Sequence, residues 1–140
     1  ILKTDMKKHT IFITGAAGYV GGMLCDQFSE RDDVEAIIGL DKEPIPDFLK
    51  DNNKIKWINA NLSDETWSKE VSGYSPDIII HTAWQIREMY GKKKLQWKWN
   101  IGGSDAVFDL VFKIFKLIRH IFHVAQFFLN GFHLQRGGEF

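Results

Sequence analysis

Disulfides have no place in this chain. Cys25 is the single cysteine among 140 residues, so the fold must rest on packing, and a chain of this length can bury a core within one domain. Cys25 itself falls on an expected first helix, where it serves as small core filler rather than as a nucleophile. Prolines number only three, Pro44, Pro46 and Pro76, and they leave long stretches open to regular structure. Charge of either sign is not in excess: eighteen basic side chains balance eighteen acidic ones, which argues against a nucleic-acid partner or a membrane surface. The balance is uneven along the chain, with fourteen basic against seventeen acidic residues over 1–112 and four against one over 113–140. No apolar run reaches the length of a membrane span, because charges recur every few residues. No repeat, low-complexity tract or G-x-x-x-x-G-K-[ST] phosphate loop occurs. His120 and His123 share a helical spacing, but no nearby acid or cysteine completes a metal set, so no metal site is expected. Ile1 to His9 is short, polar and lysine-rich, unlike a secretory signal. It reads as a disordered N-terminal extension, and a reduced, cytoplasmic setting is the expectation.

The chain is organised around Thr10-Ile11-Phe12-Ile13-Thr14-Gly15-Ala16-Ala17-Gly18-Tyr19-Val20-Gly21. An apolar run of strand length meets glycines at the first, fourth and seventh places. A segment with apolar residues at helical spacing follows: Val20, Leu24, Phe28. Strand, tight turn and helix in that order bring the helix N-terminus beside the end of the strand, where free N–H groups and the helix dipole favour a pyrophosphate. Gly15 permits the turn, Gly18 lets the backbone approach phosphate, and Gly21 lets the helix pack closely. A second landmark reinforces the first. Val34 to Leu40 reads as the next parallel strand and ends at Asp41, twenty residues beyond Gly21, where a dinucleotide fold places the acid that binds the adenosine ribose. That carboxylate accepts from a 2′-hydroxyl and repels a 2′-phosphate, favouring NAD over NADP. Lys42, the next residue, would offset the preference only if it turned inward.

Further elements alternate. Asp47 to Asp51 holds a helical turn, and Ile55 to Ala60 alternates apolar and polar like a strand near the sheet edge. Ser63 or Asp64 caps a short helix running to Val71. Asp77 to Thr82 is a continuous apolar run, typical of a strand covered on both faces. Tyr90 to Trp99 is basic and aromatic and reads as a solvated or lid-like loop rather than a nucleic-acid patch. A long helix begins near Asn100 or Ser104, with Val107, Leu110, Val111 and Ile114 on its apolar face. The pattern predicts an α/β Rossmann-like, doubly wound parallel sheet of four to five strands, ordered 3-2-1-4 with a fifth beside the fourth. The expected domains are the extension over 1–9, a cofactor-binding domain over 10–112, and a divergent apolar and aromatic tail over 113–140. The tail is left open between a fifth strand and a continuing helix.

Over roughly three quarters of its length, from about Lys8 to Phe112, the chain resembles the N-terminal half of the extended short-chain dehydrogenase/reductases, the NAD-dependent epimerase/dehydratases. Thr14-Gly15-Ala16-Ala17-Gly18-Tyr19-Val20-Gly21 is similar to that family's TGxxGxxG, and Asp41 matches its ribose-binding acid. The resemblance implies cofactor contacts at Gly15, Ala17, Gly18, Tyr19, Val20, Gly21, Asp41 and Lys42. It places Asn61-Leu62 at the family's adenine-contacting Asp-Leu, where Asn61 keeps an acceptor but loses the charge. His81-Thr82-Ala83-Trp84 is similar to the HxAA segment along the cofactor, with Trp84 replacing a small residue, while His81 itself is open between a cofactor contact and a satisfied core histidine. Asn100 matches the asparagine of N-x-x-G-[ST], which supports the loop after strand four.

Family members use a Ser/Thr, a Tyr and a Lys to exchange a proton with substrate as hydride moves to or from nicotinamide. Overlaying the tail on the family's SSxxxYG segment sets Ala125 and Gln126 at the serines and Asn130 at the tyrosine. The catalytic triad is thus absent, and the chain reads as truncated relative to the family. Tyr90 and Lys94 satisfy YxxxK literally, but they stand far before the family position and read as a solvated loop. Three functions remain in play. The chain is a cofactor-binding domain of an oxidoreductase acting on a nucleotide-sugar or related alcohol or carbonyl substrate; or a non-catalytic sensing or interaction domain, with a homodimer or partner protein covering the apolar tail; or a truncated or frame-shifted product.

Overall fold

The computed structural model describes residues 7–64, 66–117 and 124–126, with side chains as far as Phe115. Five parallel strands form one sheet in the order β3-β2-β1-β4-β5. They are β1 (His9–Thr14), β2 (Val34–Asp41), β3 (Ile55–Asn59), β4 (Ile78–His81) and β5 (Val124–Gln126). Among the described residues the helices are α1 (Tyr19–Ser29), α2 (Trp67–Gly73), α3 (Lys93–Trp97) and α4 (Gly103–Leu117), with a 3-10 turn at Asp47–Leu49 and a π turn at Lys98–Gly102 between α3 and α4. This is the doubly wound, Rossmann-like α/β fold.

Alternation along each strand builds two cores, because successive side chains leave opposite faces of a sheet. Phe12, Ile38, Leu40, Ile58 and Ile79 face one way, against Trp67 and Val71 of α2 and Val107, Leu110, Val111 and Ile114 of α4. The Phe12 and Trp67 rings meet there with centroids 5.7 Å apart. Ile11, Ile13, Ile37, Ile55 and Ile80 face the other way, against Leu24, Cys25 and Phe28 of α1 and Leu49 of the 3-10 turn. Cys25 is fully buried, and burial, with Asp26 adding to it, pushes its thiol up to about 12. It remains a protonated filler with no nucleophilic role.

Several boundaries differ from the sequence expectation. β1 starts one residue earlier, within the stretch read as extension, because His9 donates its amide to Asp33 O and its ring pairs with Asp77 Oδ2 at 2.8 Å. α1 stops at Ser29, two residues short of Arg31. α2 begins at Trp67 rather than after Ser63 or Asp64. Asn61 Oδ1 takes both the amide and the hydroxyl of Ser63, each at 3.0 Å, so Ser63 is spent on a turn instead of a helix cap. The stretch read as a loop before Asn100 is helical from Lys93 onward. α4 crosses the expected boundary at 112 without a break, since Val111 and Ile114 continue its buried stripe. In the tail, β5 pairs with β4 through Ile79↔Val124, Ile80↔Ala125 and His81↔Gln126. Asn130 and the His120/His123 pair lie outside the described residues. Among the described residues no helix is long and apolar enough to cross a membrane.

Candidate functional site: a cleft at the strand ends

Strand order reverses beside β1, and the register brings Thr14 level with Leu40 on one side and His81 on the other. Crevices form at such a reversal, outside the carboxyl ends of the strands. Here it is a cleft of about 160 Å³ with the glycine turn as its floor.

The turn is dictated by what glycine lacks. Gly15 has φ +68°, and a Cβ there would stand 2.7 Å from the Ala83 backbone, so β4's exit loop and the turn can touch only at glycine. A Cβ on Gly21 would lie 2.2 Å from Gly15 O, which fixes α1 directly against the turn. Gly18 is freer: an added Cβ would meet only Gly15 O, at 3.1 Å, and would otherwise project into open space. Gly18 donates its amide to Gly15 O, and the first bond within α1 runs from Gly22 N–H to Gly18 O at 2.8 Å. The amides of Tyr19, Val20 and Gly21 therefore precede the helical ladder and point out of the helix N-terminus, as an anion site requires.

Asp41 closes the turn from the side. Its Oδ2 accepts the Ala17 amide at 3.1 Å and its Oδ1 the Glu43 amide at 3.0 Å. The carboxylate is thus fixed beside the helix N-terminus, with lone pairs left for a ligand's hydroxyls. Lys42 neither points freely to solvent nor enters the floor. Its ammonium pairs with Glu43 at 2.7 Å and lies 5.4 Å from the ring centroid of Trp99, across the opening. Asn61 lines the cleft, but its Oδ1 is committed to Ser63, so its Nδ2 is the head left for a ligand.

Behind the cleft lies a buried chain of hydrogen bonds. Ser104 donates its hydroxyl to Asn100 O at 2.7 Å, His81 Nε2 lies 2.9 Å from Ser104 Oγ, and His81 Nδ1 lies 2.6 Å from Thr14 Oγ1. With the Ser104 proton used on Asn100, the self-consistent arrangement is a neutral imidazole that donates from Nε2 and accepts at Nδ1. Burial pushes the His81 pKa down from its ordinary value to about 4. His81 is a core residue with both ring nitrogens satisfied, and it does not line the cleft. Of the two places open to it, a cofactor contact and a satisfied core histidine, this geometry is that of the second.

The far wall is built differently. Asn100, almost wholly buried, accepts the Gln85 amide at Oδ1 (2.7 Å) and returns a bond from Nδ2 to Gln85 O (3.2 Å). One turn earlier, Gln96 accepts the Met89 amide and donates to Gln85 O, both at 3.0 Å. Two amide side chains on one helical face therefore hold the loop after β4 as a neighbouring strand would.

Of the residues singled out from sequence, Gly15, Gly18, Asp41, Lys42, Asn61, Leu62, Thr82, Ala83, Trp84 and Asn100 share the cleft wall. Ala17 touches it only through its bond to Asp41, Tyr19 is turned to solvent, and Val20, Gly21 and His81 lie outside the lining. Leu40, Ala60, Gln85 and Trp99 join it unforeseen. For Trp99 a signal existed in its place next to Asn100. Tyr90 is 87% exposed on the turn before α3 and takes no part in the cleft. Among the described residues no cluster of His, Cys, Asp or Glu could hold a metal ion.

With this geometry in hand, the wider relationships are clear. Residues 11–124 match the NAD dependent epimerase/dehydratase family, and the chain belongs to that family. Among solved structures it is similar to the Bordetella bronchiseptica enzyme WbmH in complex with NAD+ (22% identity, TM-score 0.67, 76% of this chain and 36% of that one). It is similar also to WbmG of the same organism in complex with NAD (19%, TM-score 0.70, 81% and 36%). L-threonine dehydrogenase from Clostridium difficile is a third (21%, TM-score 0.64, 85% and 36%). At these identities the likeness is one of fold, and the chain spans about 36% of the length of these structures. No curated protein matches the sequence.

Proposed function

We propose that this chain is the NAD-binding part of an epimerase/dehydratase-like oxidoreductase acting on a nucleotide-sugar or related alcohol or carbonyl substrate. Bound NAD supplies a hydride donor or acceptor; the chain's own residues bind and orient it. The turn from Gly15 to Gly18, with the amides of Tyr19, Val20 and Gly21, would hold its diphosphate. Asp41 would take the ribose hydroxyls, Asn61 and Leu62 would hold the base, and Thr82, Ala83 and Trp84 the nicotinamide half. Among the described residues the cleft lining holds no Ser/Thr-Tyr-Lys set, and neither Tyr90 nor Lys94 belongs to it, so on this reading the described part of the chain contributes cofactor binding rather than proton transfer.

The observation that supports this most is the Asp41 carboxylate held 3.1 Å from the Ala17 amide, beside a turn in which Gly15 and Gly21 have no substitute. Titration calorimetry tests it. NAD is expected to bind the wild-type chain more tightly than NADP, because Asp41 repels a 2′-phosphate. Gly18→Val, which fills the phosphate space, is expected to weaken NAD at least a hundredfold while leaving the melting temperature within a few degrees. A wild-type chain that ignores NAD, or a folded Gly18→Val that binds it equally, would refute the reading.

A further inference from the structure

The Lys42–Trp99 contact gives the cleft a feature that the glycine turn and Asp41 do not explain. An ammonium 5.4 Å from the centroid of an indole lies over its face, so the flat side of Trp99 is turned across the opening toward the end of β2. We propose that Trp99 is the base platform of this cleft, its indole face stacking on the adenine of the dinucleotide in the place that the Lys42 ammonium occupies in the structure. The proposal rests on the NAD-binding reading and deepens it.

Position is the first argument. Lys42 directly follows Asp41, so a ring facing Lys42 stands close to the ribose carboxylate, and all three residues line the cleft. Ala60, Asn61 and Leu62 line the same cleft. The indole therefore shares the cleft with the stretch just after β3, of which Ala60 and Leu62 are apolar. The polar side chain of that stretch is the Asn61 amide, with Oδ1 already bonded twice to Ser63. Nδ2, a donor, is what meets the edge of a base, which suits a purine with a ring-nitrogen acceptor.

Rigidity is the second. Trp99 sits in the π turn between α3 and α4, a distortion often found at functional sites. The next residue, Asn100, is buried and bonded in both directions to Gln85. The indole is therefore held at the mouth by a fixed neighbour, and little ordering remains to be done when a base arrives.

The exchange itself is the third. Lys42 is partly exposed and already pairs with the Glu43 carboxylate at 2.7 Å, so it can leave the ring without losing its charge partner. Stacking of a base on an indole is stronger than an exposed cation–π contact, so the base displaces the ammonium.

The test is calorimetry with ADP-ribose and with nicotinamide mononucleotide on wild type, Trp99→Leu and Trp99→Phe, each checked for an unchanged melting transition. Trp99→Leu is expected to weaken ADP-ribose about tenfold, to leave nicotinamide mononucleotide within twofold, and Trp99→Phe to recover most of the loss. Independently, ADP-ribose is expected to quench the fluorescence of the wild type but not of Trp99→Phe. Equal ADP-ribose affinity in Trp99→Leu overturns the platform while leaving NAD binding intact. Equal weakening of both ligands overturns it as well, since Trp99 would then act through the loop. A wild type that binds neither ligand overturns the NAD-binding reading on which the platform rests.

Discussion

On one side of the cleft the chain is fixed by missing side chains: at Gly15 and Gly21 backbone meets backbone at distances that no Cβ permits. On the other side it is fixed by side chains that imitate backbone, with the amides of Asn100 and Gln96 bonding the loop over Gln85–Met89. The first wall is a steric construction, and a single added methyl group breaks it. The second is a hydrogen-bonded construction whose members can be lost one at a time. His81 joins them, with Thr14 of the glycine wall on one ring nitrogen and Ser104 of the amide wall on the other.

The strongest way to break this comparison is Gly21→Ala. Alanine ordinarily stabilises a helix relative to glycine, by about 1 kcal/mol. Here its Cβ would lie 2.2 Å from Gly15 O, and neither backbone can yield. The expected outcome is a loss of about 4 kcal/mol in urea unfolding, or no folded protein at all. Gly73→Ala is the control, because nothing lies within 4 Å of its added Cβ. It should be neutral or stabilising by roughly 0.5 kcal/mol. If the two substitutions cost the same, the glycine wall is not steric.

The joint between the walls predicts a pH dependence. His81 has a folded pKa of about 4 against an ordinary 6.5, so in this region the unfolded chain takes up the proton first. Stability is therefore complete above about pH 6.5 and falls as the pH drops toward 4, by about 3 kcal/mol in all. Carboxylates add their own acid dependence, so the measurement is a difference. His81→Gln, which keeps a polar head of similar reach but cannot titrate, should lose less stability between pH 7 and 4 than the wild type. Parallel curves would mean that the ring is not held neutral between Thr14 and Ser104.

The glycine wall could be read from the sequence because its cause is local: a strand, three spaced glycines, a helix, and an acid at the next strand's end are all consecutive signals. The sheet order followed for the same reason, since alternating strands and helices leave few crossovers. The amide wall is not local. Nothing in Lys92 to Trp99 shows that Gln96 will bond the loop at Gln85 and Met89, so a run of lysines and tryptophans looked like a solvated loop where the chain makes α3 and a π turn. His81 stayed open for another reason. A histidine at a strand end beside a cofactor motif has two destinations, cleft or core, and only the placement of Ser104 on α4, twenty-three residues away, decides for the core. Asn61 was legible as a cleft residue but not as one whose acceptor Ser63 had already taken.

The amide wall can be tested where its loss is smallest. Gln96 makes one bond through Oε1, from the Met89 amide, and donates through Nε2 to Gln85 O at 3.0 Å and, more weakly, to Arg87 O at 3.4 Å. These groups are only partly buried, so water replaces part of what is removed. Gln96→Ala should then cost about 1 kcal/mol, far less than the glycine change. Gln96→Glu separates the two halves of the contact. Its carboxylate still accepts from Met89 but turns a second oxygen toward Gln85 O, where a donor stood, so Met89 should keep its slow amide exchange while stability falls at least as far as in Gln96→Ala. Exchange at Met89 that is unaffected in Gln96→Ala would show that the loop is held by Asn100 alone, and the second wall would shrink from the bonds of two amide side chains to the pair that Asn100 makes with Gln85.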